Sequence, residues 1–273
     1  MEMETREVTD GNQALDGTQA GGPALLMTGV SIAALRHSDR VVFEEVNWSV
    51  ATGDFWAIAG LHGCGKTDFM TVAAGLNLPV RGAYWVFGRE LGAGFERDLL
   101  ETRRRLGLVF DGGRVLRHLT VAENVGLPIC YHRDQPVEEA AVEIDRLLAL
   151  TGLSVWADQP TMSLSRNWQQ RVGLARALAL QPEVLLVDNP LSGLDPRDAA
   201  WWLAFLSQLA AGHPDLGGRP MTLVVSCDDL RPWQGRARQF AVLRDRRLVP
   251  LGSGLAPLPD DDFLRASVGA PKH

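Results

Sequence analysis

The stretch FWAIAGLHGCGKTDFM, residues 55–70, decides the fold of this chain. It opens with an apolar run, 55–61, that predicts a buried strand, and it continues into a segment, 66–76, that predicts a helix. Its glycines, lysine and threonine fit the pattern G-x-x-x-x-G-K-[ST], at Gly60, Gly65, Lys66 and Thr67. In a strand–loop–helix of this kind, backbone N–H groups and the helix N-terminus converge on phosphate oxygens. The sequence therefore predicts a phosphate-binding loop in an α/β fold.

The residues of this loop have separate expected tasks. The Lys66 ammonium would reach the β- and γ-phosphates of a nucleotide, and the Thr67 hydroxyl would bind Mg²⁺. Cys64 would contribute its backbone, and its thiol has no predicted task. A glycine turn without function is the alternative, but the strand before the loop and the helix after it argue against that interpretation. The predicted phosphate-binding residues are Gly60, Leu61, His62, Gly63, Cys64, Gly65, Lys66, Thr67 and Asp68.

The composition indicates a globular protein of the cell interior. The chain has 273 residues, 46% of them hydrophobic, and its net charge of −6 argues against a general nucleic-acid binder. No apolar stretch approaches the ~20 residues that span a bilayer, and the polar, acidic N-terminus is not typical of a secretory signal. The three cysteines are widely spaced and predict neither a disulfide framework nor a metal site. Lysine occurs only at Lys66 and Lys272, so every other basic residue is arginine.

Apolar patterning predicts strands that alternate with helices around an antiparallel layer. The predicted strands are 25–32, 46–51, 55–61, 83–87, 106–110, 183–188, 222–227 and 239–244. The predicted helices are 66–76, 121–127, 137–152, 165–180 and 197–211. The strands before the phosphate loop would form the antiparallel layer. The ends, residues 1–23 and 253–273, are predicted to be a disordered tail and a flexible tail.

Further motifs follow the phosphate loop in order. The strand VLLVDNP, residues 184–190, ends in Asp188, where a carboxylate facing the loop can hold Mg²⁺. SGLDP, residues 192–196, comes directly after it, and LSRNWQQRVGLARALAL, residues 164–180, precedes it. Together with LGLVFDGGRVLRHLTVAENV, residues 106–125, these motifs resemble the ATP-binding subunits of ABC transporters.

The resemblance covers roughly residues 25–250 and implies both a fold and a site. The fold is a P-loop NTPase core of ABC type with an antiparallel β layer, in a domain of residues 24–252 with an inserted helical subdomain at about 89–170. ATP would lie between two subunits, one supplying the phosphate loop and the other the signature serine. The implied residues are Thr67, Asp188 and Asp111 for Mg²⁺, His37 stacking on adenine, Ser165, Arg166 and Asn167 as the signature acting in trans, and Asp195 in the loop after the acidic strand.

The chain departs from the family's pattern at positions that matter for hydrolysis. Asn189 stands where the family has its catalytic glutamate, and an amide cannot accept a proton from water. Cys227 stands in place of the switch histidine, and a thiol is a weak donor. Asp111 replaces a glutamine and could still bind Mg²⁺ directly. Two signature glycines are also replaced, by Arg166 and Asn167.

Several of these residues have a purely structural interpretation as well. Asp188 could cap a strand end, Ser165 could be a helix N-cap, and His37 could be an exposed loop histidine. Asp228 and Asp229 follow the altered switch position, but without geometry the sequence gives no reason to make either one a replacement base. Core packing is more typical than an interface for the tryptophans at helical positions, Trp168, Trp201 and Trp202.

The sequence thus predicts an ATP-binding subunit of an ABC transport complex, with ATP and Mg²⁺ as cofactors and no nucleic-acid partner. It would be cytoplasmic and peripheral on the inner face of the membrane, docked on a separate transmembrane permease near residues 111–128. A second ATP-binding subunit would complete the site, and Asn189 and Cys227 favour a heterodimer over a homodimer. The segment DGGRVLRHLTVAENVGLPI, residues 111–129, resembles the ATPases of Mce-type lipid transport. The alternatives are a catalytically weak, nucleotide-gated subunit paired with an active ATPase, and a soluble ABC protein without a permease.

Overall fold

The computed structural model describes residues 22–92 and 96–253, so nearly all of both predicted tails lies outside the described residues. The strands are β1 Leu25–Ala34, β2 His37–Val50, β3 Phe55–Gly60, β4 Arg81–Val86, β5 Arg89–Glu90, β6 Leu106–Val109, β7 Val184–Val187, β8 Thr222–Cys227, β9 Gln239–Arg244 and β10 Arg247–Ser253. The α-helices are α1 Lys66–Ala73, α2 Glu96–Arg104, α3 Val121–Arg133, α4 Val137–Thr151, α5 Arg166–Leu178 and α6 Pro196–Ala211. Short 3₁₀ helices lie at Ser154–Trp156, Thr161–Ser163, Pro214–Leu216 and Arg231–Trp233.

In the described part of the chain the strands form two sheets. The first is antiparallel with the order β2-β1-β4-β5, and the second has the order β10-β9-β3-β8-β7-β6. The second sheet is parallel from β9 to β6, and β10 pairs antiparallel with β9. The predicted α/β fold with an added antiparallel layer is therefore confirmed.

Five elements differ clearly from the sequence prediction: β2 begins earlier, α3 ends later, and β5, α2 and β10 were not predicted. Strand β2 begins at His37 instead of residue 46, since its backbone pairs with β1 from His37 onward although the side chains of residues 37–40 are exposed. Strand β10 was not predicted, because only Leu248 of its side chains is buried. Helix α3 runs beyond the predicted end at residue 127, through Pro128.

The central strand β3 is buried on both faces, as expected for a parallel strand covered on two sides. Trp56 and Ile58 face a cluster that contains Phe69 of α1 and the antiparallel sheet. Phe55 and Ala57 face the opposite cluster, which contains α3 to α6. Helix α1 therefore lies between the two sheets, and the loop that precedes it is fixed from both sides.

The helices α3, α4 and α5 pack together beside the parallel sheet. Helix α3 begins at a capping box, in which the Thr120 hydroxyl accepts from the Glu123 N–H and the Glu123 carboxylate accepts from the Thr120 N–H. The range predicted for the helical subdomain, about 89–170, also contains β6, a strand of the parallel sheet. None of the helices within residues 22–92 and 96–253 combines the length and apolar character that crossing a bilayer requires.

Candidate functional site

The phosphate loop joins the end of β3 at Gly60 to the start of α1 at Lys66. Gly65 is the N-cap of α1 with a φ of 100°, and a Cβ there would lie 3.0 Å from the ring of Phe43. A Cβ on Gly60 would lie 2.5 Å from the Cys64 sulfur, so the thiol packs over this glycine. No side chain caps α1. The first N–H groups of the helix, which have no partner within a helix, are thus left for an anionic ligand.

Asp188 follows β7 and lies against the first turn of α1. The Thr67 hydroxyl donates to one carboxylate oxygen at 2.6 Å, and the Ser226 hydroxyl donates to the other at 2.6 Å. Asp188 is only 2% exposed, and its carbonyl accepts from the Gln170 amide at 3.2 Å. A hydroxyl and a carboxylate oxygen side by side suit Mg²⁺, which takes few protein ligands and fills its shell with phosphate and water. Among the described residues no group of three or more His, Cys, Asp or Glu side chains is placed to hold a metal ion by itself.

Lys66 is buried and donates to three acceptors. They are the carbonyl of Gly60 at 2.7 Å, the carbonyl of Leu61 at 3.1 Å and a carboxylate oxygen of Asp228 at 2.7 Å. The second oxygen of Asp228 accepts from the Asn189 side-chain amide at 3.1 Å. Burial by itself opposes ionisation of Asp228, but the hydrogen bonds from Lys66 and Asn189 outweigh it and lower the pKa of the carboxyl.

The sequence places Cys227 at the altered switch position, and the structure turns its side chain away from the phosphate loop. Successive side chains of a strand alternate between faces, and Cys227 joins the apolar cluster of the helical side while its neighbour Ser226 binds Asp188. The Cys227 sulfur contacts the Ile58 carbonyl at 3.7 Å. Burial strongly raises the pKa of this thiol. Cys227 is therefore a neutral packing group in this structure.

A cavity of about 260 Å³ opens in front of the phosphate loop. Besides the loop, it is lined by Asp111, Asp188 and Asn189, so residues of two further motifs, distant in sequence, meet the loop there. Asp111 also forms an ion pair with Arg166 of the same chain. The residue after Phe110 and the first residue of α5 are thus connected within this chain.

The remaining predicted site residues occupy the N-termini of helices and one strand. Ser165 is the N-cap of α5 and makes no side-chain capping hydrogen bond. Asn167 is buried and accepts from the indole N–H of Trp202 at 3.3 Å, so it presents no side chain to a ligand. Asp195 caps α6 by accepting from two backbone N–H groups. His37 is exposed at the first position of β2.

Asp68, predicted as a phosphate-binding residue, uses its side chain elsewhere. A carboxylate oxygen accepts from the Leu35 N–H at 2.7 Å. This bond ties the turn between β1 and β2 to the first turn of α1. His37 lies two residues after Leu35 and stays a prediction for adenine stacking.

The sequence analysis assigned no role to three polar residues of this site. Ser226 and Gln170 hold Asp188 in place, and Asp228 holds Lys66. The signal for Ser226 was present, because alternation along β8 places it on the face opposite to Cys227. Asp228 lies just past the end of β8, where strand alternation no longer fixes the direction of a side chain. For Gln170 the sequence carries no such signal, since its contact depends on how α5 packs against β7.

The fold and the loop together define a P-loop phosphate-binding domain. Residues 43–192, more than half of the chain, match the family described as ABC transporter, and the chain belongs to this family. A solved structure of the ATP-binding cassette MJ0796, a dimer in a post-hydrolysis state bound to ADP and Pi, shares the fold with a TM-score of 0.73. It is 24% identical, and the alignment covers 86% of this chain and 100% of the cassette.

Curated relatives are more similar in sequence. The Fe(3+) ions import ATP-binding protein FbpC of Fusobacterium nucleatum subsp. nucleatum is 35% identical over 60% of this chain and 43% of the relative. The methionine import ATP-binding protein MetN 2 of Paraburkholderia xenovorans is 38% identical over 70% of this chain and 50% of the relative. The chain thus spans about half the length of these relatives.

Proposed function

We propose that this chain is the ATP-binding subunit of an ABC transport complex and that it binds Mg·ATP in the cavity in front of the phosphate loop. The contact between Thr67 and Asp188 carries the proposal, because it brings two Mg²⁺ ligands from distant motifs to the first turn of α1, within the cavity that Lys66 also lines. The relatives are named as import ATP-binding proteins, which favours import. The site of action is the cytoplasmic face of a membrane.

Replacing Lys66 by Ala is expected to weaken ATP binding. A charge-assisted hydrogen bond is typically worth ~1.5–3 kcal/mol, which is about 10- to 150-fold in affinity. Titration with a fluorescent ATP analogue in Mg²⁺ measures the change. Lys272→Ala, at the only other lysine of the chain, is the matched control and should bind like wild type. Equal affinities for wild type and Lys66→Ala would sink the assignment of this loop.

The proposed partners are a second ATP-binding subunit and a separate transmembrane permease. Exposed apolar side chains lie in and beside the segment predicted to dock on the permease, with Leu116 at 40%, Leu127 at 44% and Tyr131 at 77% exposure. We propose pairing with an ATP-binding subunit that has the full residue set, since Asn189 and Cys227 leave a homodimer without the family's glutamate and histidine. The complete partner would supply the glutamate and histidine of one hydrolytic site. This chain would supply its signature, Ser165, Arg166 and Asn167, to that same site.

Affinity purification from the native source, followed by mass spectrometry, tests this assembly. We expect a permease and a second ATPase with intact motifs to be recovered together with this chain. A variant with Leu127→Asp and Tyr131→Asp should lose the permease but keep ATP binding. Recovery of a permease with this chain as its only ATPase, in a complex that hydrolyses ATP, would contradict the heteromeric proposal.

A lipid cargo is the finer proposal for the transported substrate. It is supported by the resemblance of residues 111–129 to the ATPases of Mce-type lipid transport. The relatives are named as import ATP-binding proteins for Fe(3+) ions and methionine, so the lipid proposal rests on this resemblance alone. Identification of small molecules and lipids that copurify with the assembled complex is the measurement, and a complex that moves only ions or amino acids would contradict it.

A further inference from the structure

Lys66, the residue that would bind the phosphates of a nucleotide, forms an ion pair with Asp228 in this structure. An ammonium has three protons to donate, and Lys66 directs them to Gly60, Leu61 and Asp228. Two of these acceptors are backbone carbonyls of the loop itself. Asp228 is the one that carries charge, and it lies outside the loop, directly after the end of β8.

Asp228 is held in this position from both sides. One carboxylate oxygen accepts from Lys66 at 2.7 Å, and the other accepts from Asn189 at 3.1 Å. The adjacent carboxylate, Asp229, turns away and pairs with Arg231. The two neighbouring aspartates are therefore distinct in structure, and only Asp228 reaches the phosphate loop.

A carboxylate on Lys66 has the charge and the hydrogen-bonding capacity of a phosphate oxygen. A polyphosphate that enters the cavity must take over the donor that Asp228 holds, and it brings negative charge close to the carboxylate. Lys66 is 8% exposed. Because Lys66 is buried, solvent screens the competition for it only in part. The Asp228 side chain is 49% exposed, which accounts for the screening that remains.

We propose that Asp228 is a built-in competitor of the nucleotide's phosphates for Lys66 and lowers the affinity of the phosphate loop for ATP. The inference rests on the proposed function, because it takes Lys66 as the phosphate-binding lysine. Asn189, which has lost the acid–base capacity expected at its position, acts here as a positioning residue that holds the competitor in place.

Calorimetric titration of the full chain with ATP, ADP and AMP in Mg²⁺ tests the proposal. The Asp228→Asn substitution removes the charge and keeps the shape of the side chain. We expect this variant to bind ATP about three- to tenfold more tightly than wild type. This factor is the usual strength of a charge-assisted hydrogen bond, reduced because Asp228 is partly exposed to solvent. AMP, whose single phosphate does not reach Lys66, should bind with unchanged affinity. Asp229→Asn is the matched control and should leave all three affinities unchanged.

Two outcomes separate this inference from the function beneath it. If ATP binding depends on Lys66 but Asp228→Asn binds ATP no more tightly than wild type, the role of Asp228 is overturned and the nucleotide site stands. If neither wild type nor any variant binds ATP, the proposed function falls and the role of Asp228 falls with it. Should Asp228→Asn fail to fold, Asp228→Ser removes the same charge and is judged by the same comparison.

Discussion

Purified protein, supplied with saturating Mg·ATP, is expected to release phosphate at a rate about 10²–10⁴-fold below that of an enzyme with a positioned general base. The Asn189 amide has no basicity, and its side chain donates to Asp228. Asp228 is a poor substitute, because its hydrogen bonds from Lys66 and Asn189 lower its pKa and weaken it as a base. The Cys227 thiol faces the core and contacts the Ile58 carbonyl, so it cannot hold a γ-phosphate.

Phosphate release is to be compared with that of Lys66→Ala, which reports contaminating ATPases. Asn189→Glu alone should restore little of the rate, since no group at position 227 faces the cavity. Glutamate at this position also meets backbone strain, because Asn189 has a φ of 48°, a conformation that Asn tolerates better than most residues. A wild-type turnover within the usual ~1–10³ s⁻¹ would contradict the expectation. A large gain from Asn189→Glu would show that the base alone is missing.

Replacing Trp202 by Ala is expected to lower the free energy of unfolding by about 3–5 kcal/mol, the usual cost of deleting a buried aromatic side chain. Trp202 is fully buried on α6 and packs edge-on against Trp201, with ring centroids 5.4 Å apart. Its indole N–H donates to Asn167 at the start of α5. The same change therefore removes core volume and the contact that positions the altered signature.

Denaturant unfolding measures the loss, with two variants as controls. Trp202→Phe keeps much of the apolar area and removes the indole N–H, so its loss should be clearly smaller. Trp85→Ala, on a half-buried residue of β4, should also cost less. If Trp202→Ala and Trp85→Ala were equally destabilising, Trp202 would not be the central packing residue of α6.

The burial of Trp202 confirms the sequence prediction that this tryptophan belongs to the core.

The amino-acid sequence by itself determined the fold class and the phosphate loop. Residues 55–70 are sufficient for both, because a buried strand, a glycine loop and a helix that follow one another directly depend only on local geometry. The order of motifs also predicted that Asp188 would face the loop. In the parallel sheet only β8 lies between β3 and β7, and parallel strands end at the same edge of a sheet, so the residues that follow β3 and β7 lie at one edge.

Only the tertiary structure decided which side chains act on the phosphate loop. Cys227, the last residue of β8, enters the core, whereas Asp228, which follows the strand, binds Lys66; a sequence motif alone does not make this distinction. Asn167 enters the interior and accepts from Trp202 of α6, while Arg166 pairs with Asp111, which lies just beyond β6. These contacts join residues far apart in sequence, and their partners are set by packing rather than by spacing.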